Sequence, residues 1–290
     1  MPDAIYLISP HPADHESENP VTTGSHPLLH STDATRVEPG RWVVTVPRSW
    51  GSWAGPLGGL LNAVAARAAA DLTGPGATPM ATHTQFVRKF SDAPVSFTAT
   101  VERAGGTTEF VTVRGTQDEQ TVLISSVVCG RRAGGSVVQR VRAPVVPPPE
   151  ECEEIEFPPE LVPFGQRFEI RQASGAYPMS GVAHAEMGAW LRLRPEVPTD
   201  DLIAIVMMDA MPPGLYPTLT EPAAIVSAEL SVHLHRDLAV HPVDGFVLAV
   251  QRTVTDGDGW CVDEADLWDQ DGGLLAQSRQ QRRILALKAG

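Results

Sequence analysis

A chain of 290 residues is too long for one small domain and comfortable for two, and its 42% hydrophobic content is enough to bury real cores, which excludes a disordered chain. A formal charge of −13 argues against recognition of a nucleic-acid backbone, which needs clustered Lys and Arg, and against a general attraction to anionic membranes. The three cysteines, Cys129, Cys152 and Cys261, lie far apart with no C-x-x-C, so neither a zinc knuckle nor a disulfide framework is expected and the chain reads as reduced and cytoplasmic.

Residues 1–35 contain no Lys or Arg and no apolar run long enough for a signal peptide. Rich in Pro, His, Ser and acids, they read as a loosely held arm, with residues 5–8 docking locally. A short strand follows at 42–46, then a turn-rich loop at 49–56. Residues 57–72 are Ala-rich and apolar nearly all round, which predicts a buried helix rather than an amphipathic one. Thr73-Gly74-Pro75-Gly76 stops it. Four runs with strand character come next, at 80–90, 95–103, 109–117 and 121–131, separated by turn signals. A strand, one long buried helix and an antiparallel meander make up a hotdog arrangement, a curved sheet wrapped round a central helix.

Residues 143–163 are rich in Pro and Glu and read as an extended, exposed linker. The pattern then repeats, with strands at 168–174 and 186–193, a helix at 199–210 capped by Thr199 or Asp200, and strands at 228–236, 246–254, 262–269 and 274–285. Thr84-Gln85-Phe86-Val87-Arg88 aligns with Val232-His233-Leu234-His235-Arg236, and the turn at Asp118-Glu119 with that at 269–272. Such offsets of roughly 150 residues predict a domain duplication. The expected class is therefore α+β, a double hotdog of two tandem antiparallel sheets each round a central helix. Its expected parts are an arm (1–35), an N-terminal hotdog (36–142), a linker (143–163) and a C-terminal hotdog (164–290), and pairing of the two sheets into one platform would cover an exposed edge.

Gly58-Gly59 at the helix start, Phe86-Val87-Arg88, Trp190-Leu191-Arg192, Asp209, Ser231 to Arg236 and Asp271 to Gln280 together resemble the acyl-CoA thioesterase II family of double-hotdog enzymes over roughly residues 35–287. The resemblance implies a thioester hydrolase with no cofactor or metal, acting on a small acyl thioester, coenzyme A foremost. It is compatible with a homo-oligomer. In that family a water molecule is the nucleophile, held by an Asp, a Thr or Ser, and a Gln. Carried over, these are Asp209, Ser227 and Gln280. The hydroxyl position is often Thr and here is Ser, and the neighbouring Glu229 and Gln281 are polar too, so a register shift would move the roles.

The chemistry suits those residue types. Asp209 can take a proton from water, while Ser227 and Gln280 can orient it. At a helix N-terminus, Gly58 and Gly59 offer free N–H groups to an oxyanion or phosphate, or else simply permit a close helix–sheet crossing. Arg88, Lys89 and Arg236 follow central strands and can meet coenzyme A phosphates or serve as ordinary surface charge. His233 and His235 alternate on one strand without a third ligand nearby, which favours packing or surface over metal. Met207, Met208, Met211 and Leu230 are candidates for an acyl wall, with core packing the competing assignment for the methionines. A hotdog hydratase would need a His before or on the central helix, and 50–61 has none. A silent acyl-binding protein is the other competing class.

Overall fold

The computed structural model describes residues 26–134 and 138–285. In the first half, a one-turn helix α1 (Pro27–His30) precedes β1 (Thr35–Glu38) and β2 (Arg41–Val44), and two-residue strands β3 (Gly51–Ser52) and β4 (Gly55–Pro56) lead into helix α2 (Gly58–Ala70). Strands β5 (Thr78–Phe86), β6 (Val95–Ala104), β7 (Thr108–Gln117) and β8 (Gln120–Gly130) complete this half. The second half holds β9 (Phe168–Gly175), β10 (Glu186–Leu193), helix α3 (Asp201–Met207), β11 (Ala224–Leu234), β12 (Val247–Gly257), β13 (Trp260–Trp268) and β14 (Leu274–Leu285).

All of these strands except β3 and β4, which pair with each other, form one 12-stranded sheet in the order β1-β2-β6-β7-β8-β5-β11-β14-β13-β12-β10-β9, with every pairing antiparallel. Followed inward from its two ends, the order is the same in both halves, so β5 and β11 meet at the centre. At that junction His83 pairs with Ser231, 148 residues away, and its Nδ1 lies 2.7 Å from the Ser231 hydroxyl. The internal match aligning residue 84 with 232 has the same offset, so His83 and Ser231 are an equivalent pair sitting on a local two-fold, and equivalent residues on either side of them diverge. The junction removes two strand edges that would otherwise be open to foreign chains.

Helix α2 is apolar all round because it has two partners. Leu61, Val64, Ala65, Ala68 and Ala69 pack with Trp42, Phe97, Val113 and Leu123 of its own sheet. Leu60, Ala63 and Ala66 join a second core with Ile203, Ile205 and Val206 of α3. Small residues on the second stripe let the helices come close. A Cβ on Gly59 would stand 2.8 Å from the Asp209 Cβ and 2.9 Å from the Val206 carbonyl oxygen.

One expectation from sequence is corrected. Residues 26–35, assigned to the loose arm, are packed: Leu28 and Leu29 are buried, and the His26 ring pairs with the Asp200 carboxylate. The apolar pair supplies the anchor that composition alone hid. Residues 5–8 lie outside the described residues. Most of 143–163 is exposed, Val145 included, while a few points of the segment are pinned to the second half. The Trp190 indole donates to the Pro147 carbonyl, the Ile155 amide donates to the Ile170 carbonyl, and Pro149 and Cys152 are buried.

Candidate active site

The site forms where the α2 N-terminus meets the chain leaving α3. Asp200 caps α3, its carboxylate accepting from the Ile203 amide 2.9 Å away. The helix ends at Met207, short of the expected 210, and a tight turn with Asp209 N–H donating to the Val206 carbonyl aims the Asp209 side chain at α2. There Oδ2 accepts from the Gly59 amide at 2.8 Å. The anion at this helix N-terminus is thus the protein's own carboxylate, stabilised by an otherwise unpaired N–H and the positive end of the helix dipole.

Gln280 and Ser227 reach the same point from neighbouring strands. Leu230 pairs with Gln280 and Ser227 with Arg282, with a bulge at Ser227–Glu229 that adds Ala228 to β11. Strict alternation from the inward Leu230 would turn residue 227 outward, and the extra residue turns it back in. The Gln280 amide nitrogen donates to Asp209 Oδ1 at 2.8 Å and to the Ser227 hydroxyl oxygen at 2.6 Å. All three predicted residues therefore meet in one hydrogen-bonded cluster, with Asp209 and Gln280 buried. Glu229 and Gln281 pair with each other instead, the Gln281 amide donating to the Glu229 carboxylate, and neither borders the cavity described below.

Behind the cluster lies a buried ion pair that sequence reading missed. Arg282 Nε donates to Asp263 Oδ2 at 2.7 Å, and the two side chains are 6% and 2% exposed. The remaining Arg282 nitrogens donate to the Gln280 carbonyl oxygen and, at 3.2 Å, to the Ser227 hydroxyl oxygen. Asp263 also accepts from the Gly214 amide, the Gln251 amide group and the Thr253 hydroxyl. The available signal was inward-facing charge at alternate strand positions: Arg282 two residues after Gln280, and Asp263 amid apolar neighbours.

Asp209, Ser227, Arg282 and Gly58 border a cavity of about 860 Å³ whose other walls include Phe86, Phe157, Leu161, Phe164, Met211 and Ile225. Met207, Met208 and Leu230 are core residues rather than cavity wall. Gly58 is needed for space, since a Cβ there would stand 2.7 Å from the Phe86 ring and 3.1 Å from Asp209 Oδ2. Arg88 and Lys89 border the same cavity, the Arg88 guanidinium donating to the Thr121 carbonyl at 2.8 Å. Arg236 does not reach it. Because β5 and β11 are antiparallel, residues following them sit at opposite ends of the junction, and Arg236 pairs with Asp269 3.1 Å away. His235 is bonded to Gln277, and among the described residues no group of three His, Cys, Asp or Glu is placed to hold a metal.

Residues 46–130 match a family model described as the acyl-CoA thioesterase N-terminal domain, and residues 149–284 one described as the acyl-CoA thioesterase C-terminal domain. No curated protein matches the chain. Among solved structures, a hot dog fold protein of unknown function from Alicyclobacillus acidocaldarius superposes with a TM-score of 0.82 at 23% identity, covering 91% of this chain and 99% of that one. The tesB protein of Mycobacterium avium subs paratuberculosis gives 0.73 at 20% identity over 89% of this chain and 98% of its own. Acyl-CoA thioesterase II TesB2 from Mycobacterium marinum gives 0.71 at 17% identity over 91% and 100%. These likenesses establish the hotdog fold, and with both domain models matched in order, the chain belongs to the acyl-CoA thioesterase family.

Proposed function

We propose that the two halves are tandem hotdog domains and that the protein hydrolyses an acyl thioester, an acyl-CoA, to free acid and thiol at Asp209, Ser227 and Gln280. The observation that carries this reading is the hydrogen-bonded Gly59–Asp209–Gln280–Ser227 cluster at the wall of a largely apolar cavity. Asp209 and Ser227 border the cavity and hold the water. Both amide hydrogens of Gln280 are spent on them, so it fixes their spacing. The water oxygen attacks the thioester carbonyl carbon as Asp209 takes a proton. The amide of Gly58, in the first helical turn where N–H groups lack intrahelical partners, stabilises the oxyanion. Collapse of the tetrahedral species breaks the carbon–sulfur bond, and the departing thiolate takes up the proton.

The aromatic and aliphatic walls suit an apolar acyl chain, and Arg88 and Lys89 at the cavity suit the phosphates of coenzyme A. Release of free thiol from acyl-CoAs of graded chain length tests the reading. Turnover that saturates with an apolar acyl-CoA supports it, whereas tight binding of the same compounds without thiol release would make the protein a silent acyl binder.

A further inference from the structure

Arg282 stands directly behind the candidate hydrolytic centre. It is a buried cation, its charge is met by Asp263 at hydrogen-bond distance and by Asp209 3.7 Å away, and its other nitrogens donate to the other two members of the catalytic cluster. Burying such a pair is costly unless its polar groups are met, and here each of the three guanidinium nitrogens makes a hydrogen bond. The direction of each hydrogen bond follows from it. The Gln280 carbonyl oxygen accepts from Arg282, so the amide presents its nitrogen to Asp209 and Ser227. The Ser227 oxygen then accepts from both Gln280 Nε2 and Arg282 Nη1, which occupies its two lone pairs. Its own hydrogen can only be given away, and the open side is the cavity.

From this polarity, and resting on the hydrolase reading above, we infer that Arg282, held by Asp263, is a positioning residue that makes Ser227 an obligate hydrogen-bond donor into the cavity. A water between Ser227 and Asp209 then receives one hydrogen bond from Ser227 and gives one to Asp209. One lone pair remains for the thioester carbon. Without Arg282 the Ser227 hydroxyl is free to turn back, and the Gln280 amide loses the contact that fixes its far end.

The test compares Arg282→Lys and Arg282→Ala with the full-length wild type, each first checked for an unchanged circular dichroism spectrum. Lysine keeps the charge beside Asp263 but lacks the fork that serves Gln280 and Ser227 together. It should lower kcat by about 10²-fold, the scale of a misplacement at a reacting centre, with KM changed by less than about threefold. In Arg282→Ala, added guanidinium chloride should restore kcat saturably, while sodium chloride at equal ionic strength should not. If Arg282→Ala does not fold, Arg282→Lys decides. An unchanged kcat in Arg282→Lys, or an effect confined to KM, overturns the inference and makes Arg282 a substrate contact or a structural pair. A crystal structure of Arg282→Lys supplies a readout independent of turnover: the Gln280 amide should leave Asp209 or Ser227, and an unmoved Gln280 overturns the inference. Wild type that releases no thiol refutes the hydrolase reading separately, and the Gln280 geometry still decides whether Arg282 positions it.

Discussion

Asp209 accepts a hydrogen bond from the Gly59 amide, 150 residues earlier in the chain. The candidate base of the second half is therefore anchored on the helix of the first, and neither half holds the site alone. This follows from α2 packing directly on α3 and the segment after it, which the glycines at 58 and 59 permit.

Replacing that base tests its role most simply. Asp209→Asn keeps the volume of the side chain and can still accept from Gly59, but cannot take a proton from water. Its one oxygen cannot also accept from Gln280, so the melting temperature should drop modestly with the circular dichroism spectrum unchanged, while thiol release falls by about 10²–10⁴-fold. A variant as active as wild type would exclude Asp209 as the base. Glu229 would not inherit the role, since it is spent on the Gln281 amide and lies off the cavity.

Gly59→Ala tests the crossing itself. The added methyl meets a backbone carbonyl oxygen at 2.9 Å and the Asp209 Cβ at 2.8 Å, neither of which is the free end of a flexible chain. We expect a loss of about 1–3 kcal/mol in stability, as for other overpacked sites. We also expect a fall in kcat, because the helices can separate only by moving Asp209. Chemical denaturation and steady-state kinetics on one preparation check both. A variant with reduced stability and full kcat would detach the Gly59 contact from catalysis.

Much of this was legible in the chain. The buried helix, the meander and the internal match at an offset of 148 gave the element order, and the register at His83 and Ser231 agrees with that match. Ser227 was found through family resemblance rather than strand alternation, which points it outward; a bulge that reverses a face has no signature in polar and apolar order. Arg236 looked equivalent to Arg88 because the repeat makes them so. Antiparallel pairing at the junction then sends equivalent residues to opposite ends. The Arg282–Asp263 pair escaped because charged residues on strands ordinarily face solvent.

Asp201, in the first turn of α3, carries a carboxyl pushed up to about 6, chiefly by burial and then by the charge of Asp200, against the Leu202 amide and His26. The folded protein thus keeps this proton to a higher pH than the unfolded chain does. Ionisation therefore costs stability progressively between about pH 4 and 6, and the penalty is complete above that range. Asp201→Asn removes it. The variant should match wild type near pH 4 and be more stable by about 1–3 kcal/mol at pH 7.5, since each tenfold change in proton affinity is worth roughly 1.4 kcal/mol. Thermal melts at the two pH values check this. A stability difference that does not grow with pH would mean that Asp201 does not ionise in this range.

The cavity makes a prediction about substrate length. Leu161, on the segment joining the two halves, borders the cavity, is 54% exposed, and gives its carbonyl to the Trp53 amide at 2.8 Å. Because the side chain is not core, Leu161→Trp adds bulk at the cavity wall with little effect on folding. If the acyl chain lies along this wall, the indole displaces its outer part. A buried methylene is worth about 0.8 kcal/mol, so excluding two of them raises KM by roughly tenfold. Long acyl-CoAs should show that rise, and short ones, which end before Leu161, should keep their KM and kcat. Parallel assays of short and long acyl-CoAs with wild type and variant give the comparison. An equal loss for both lengths would mean that the acyl chain does not run toward Leu161, and that this wall instead meets the part of the substrate common to all acyl-CoAs.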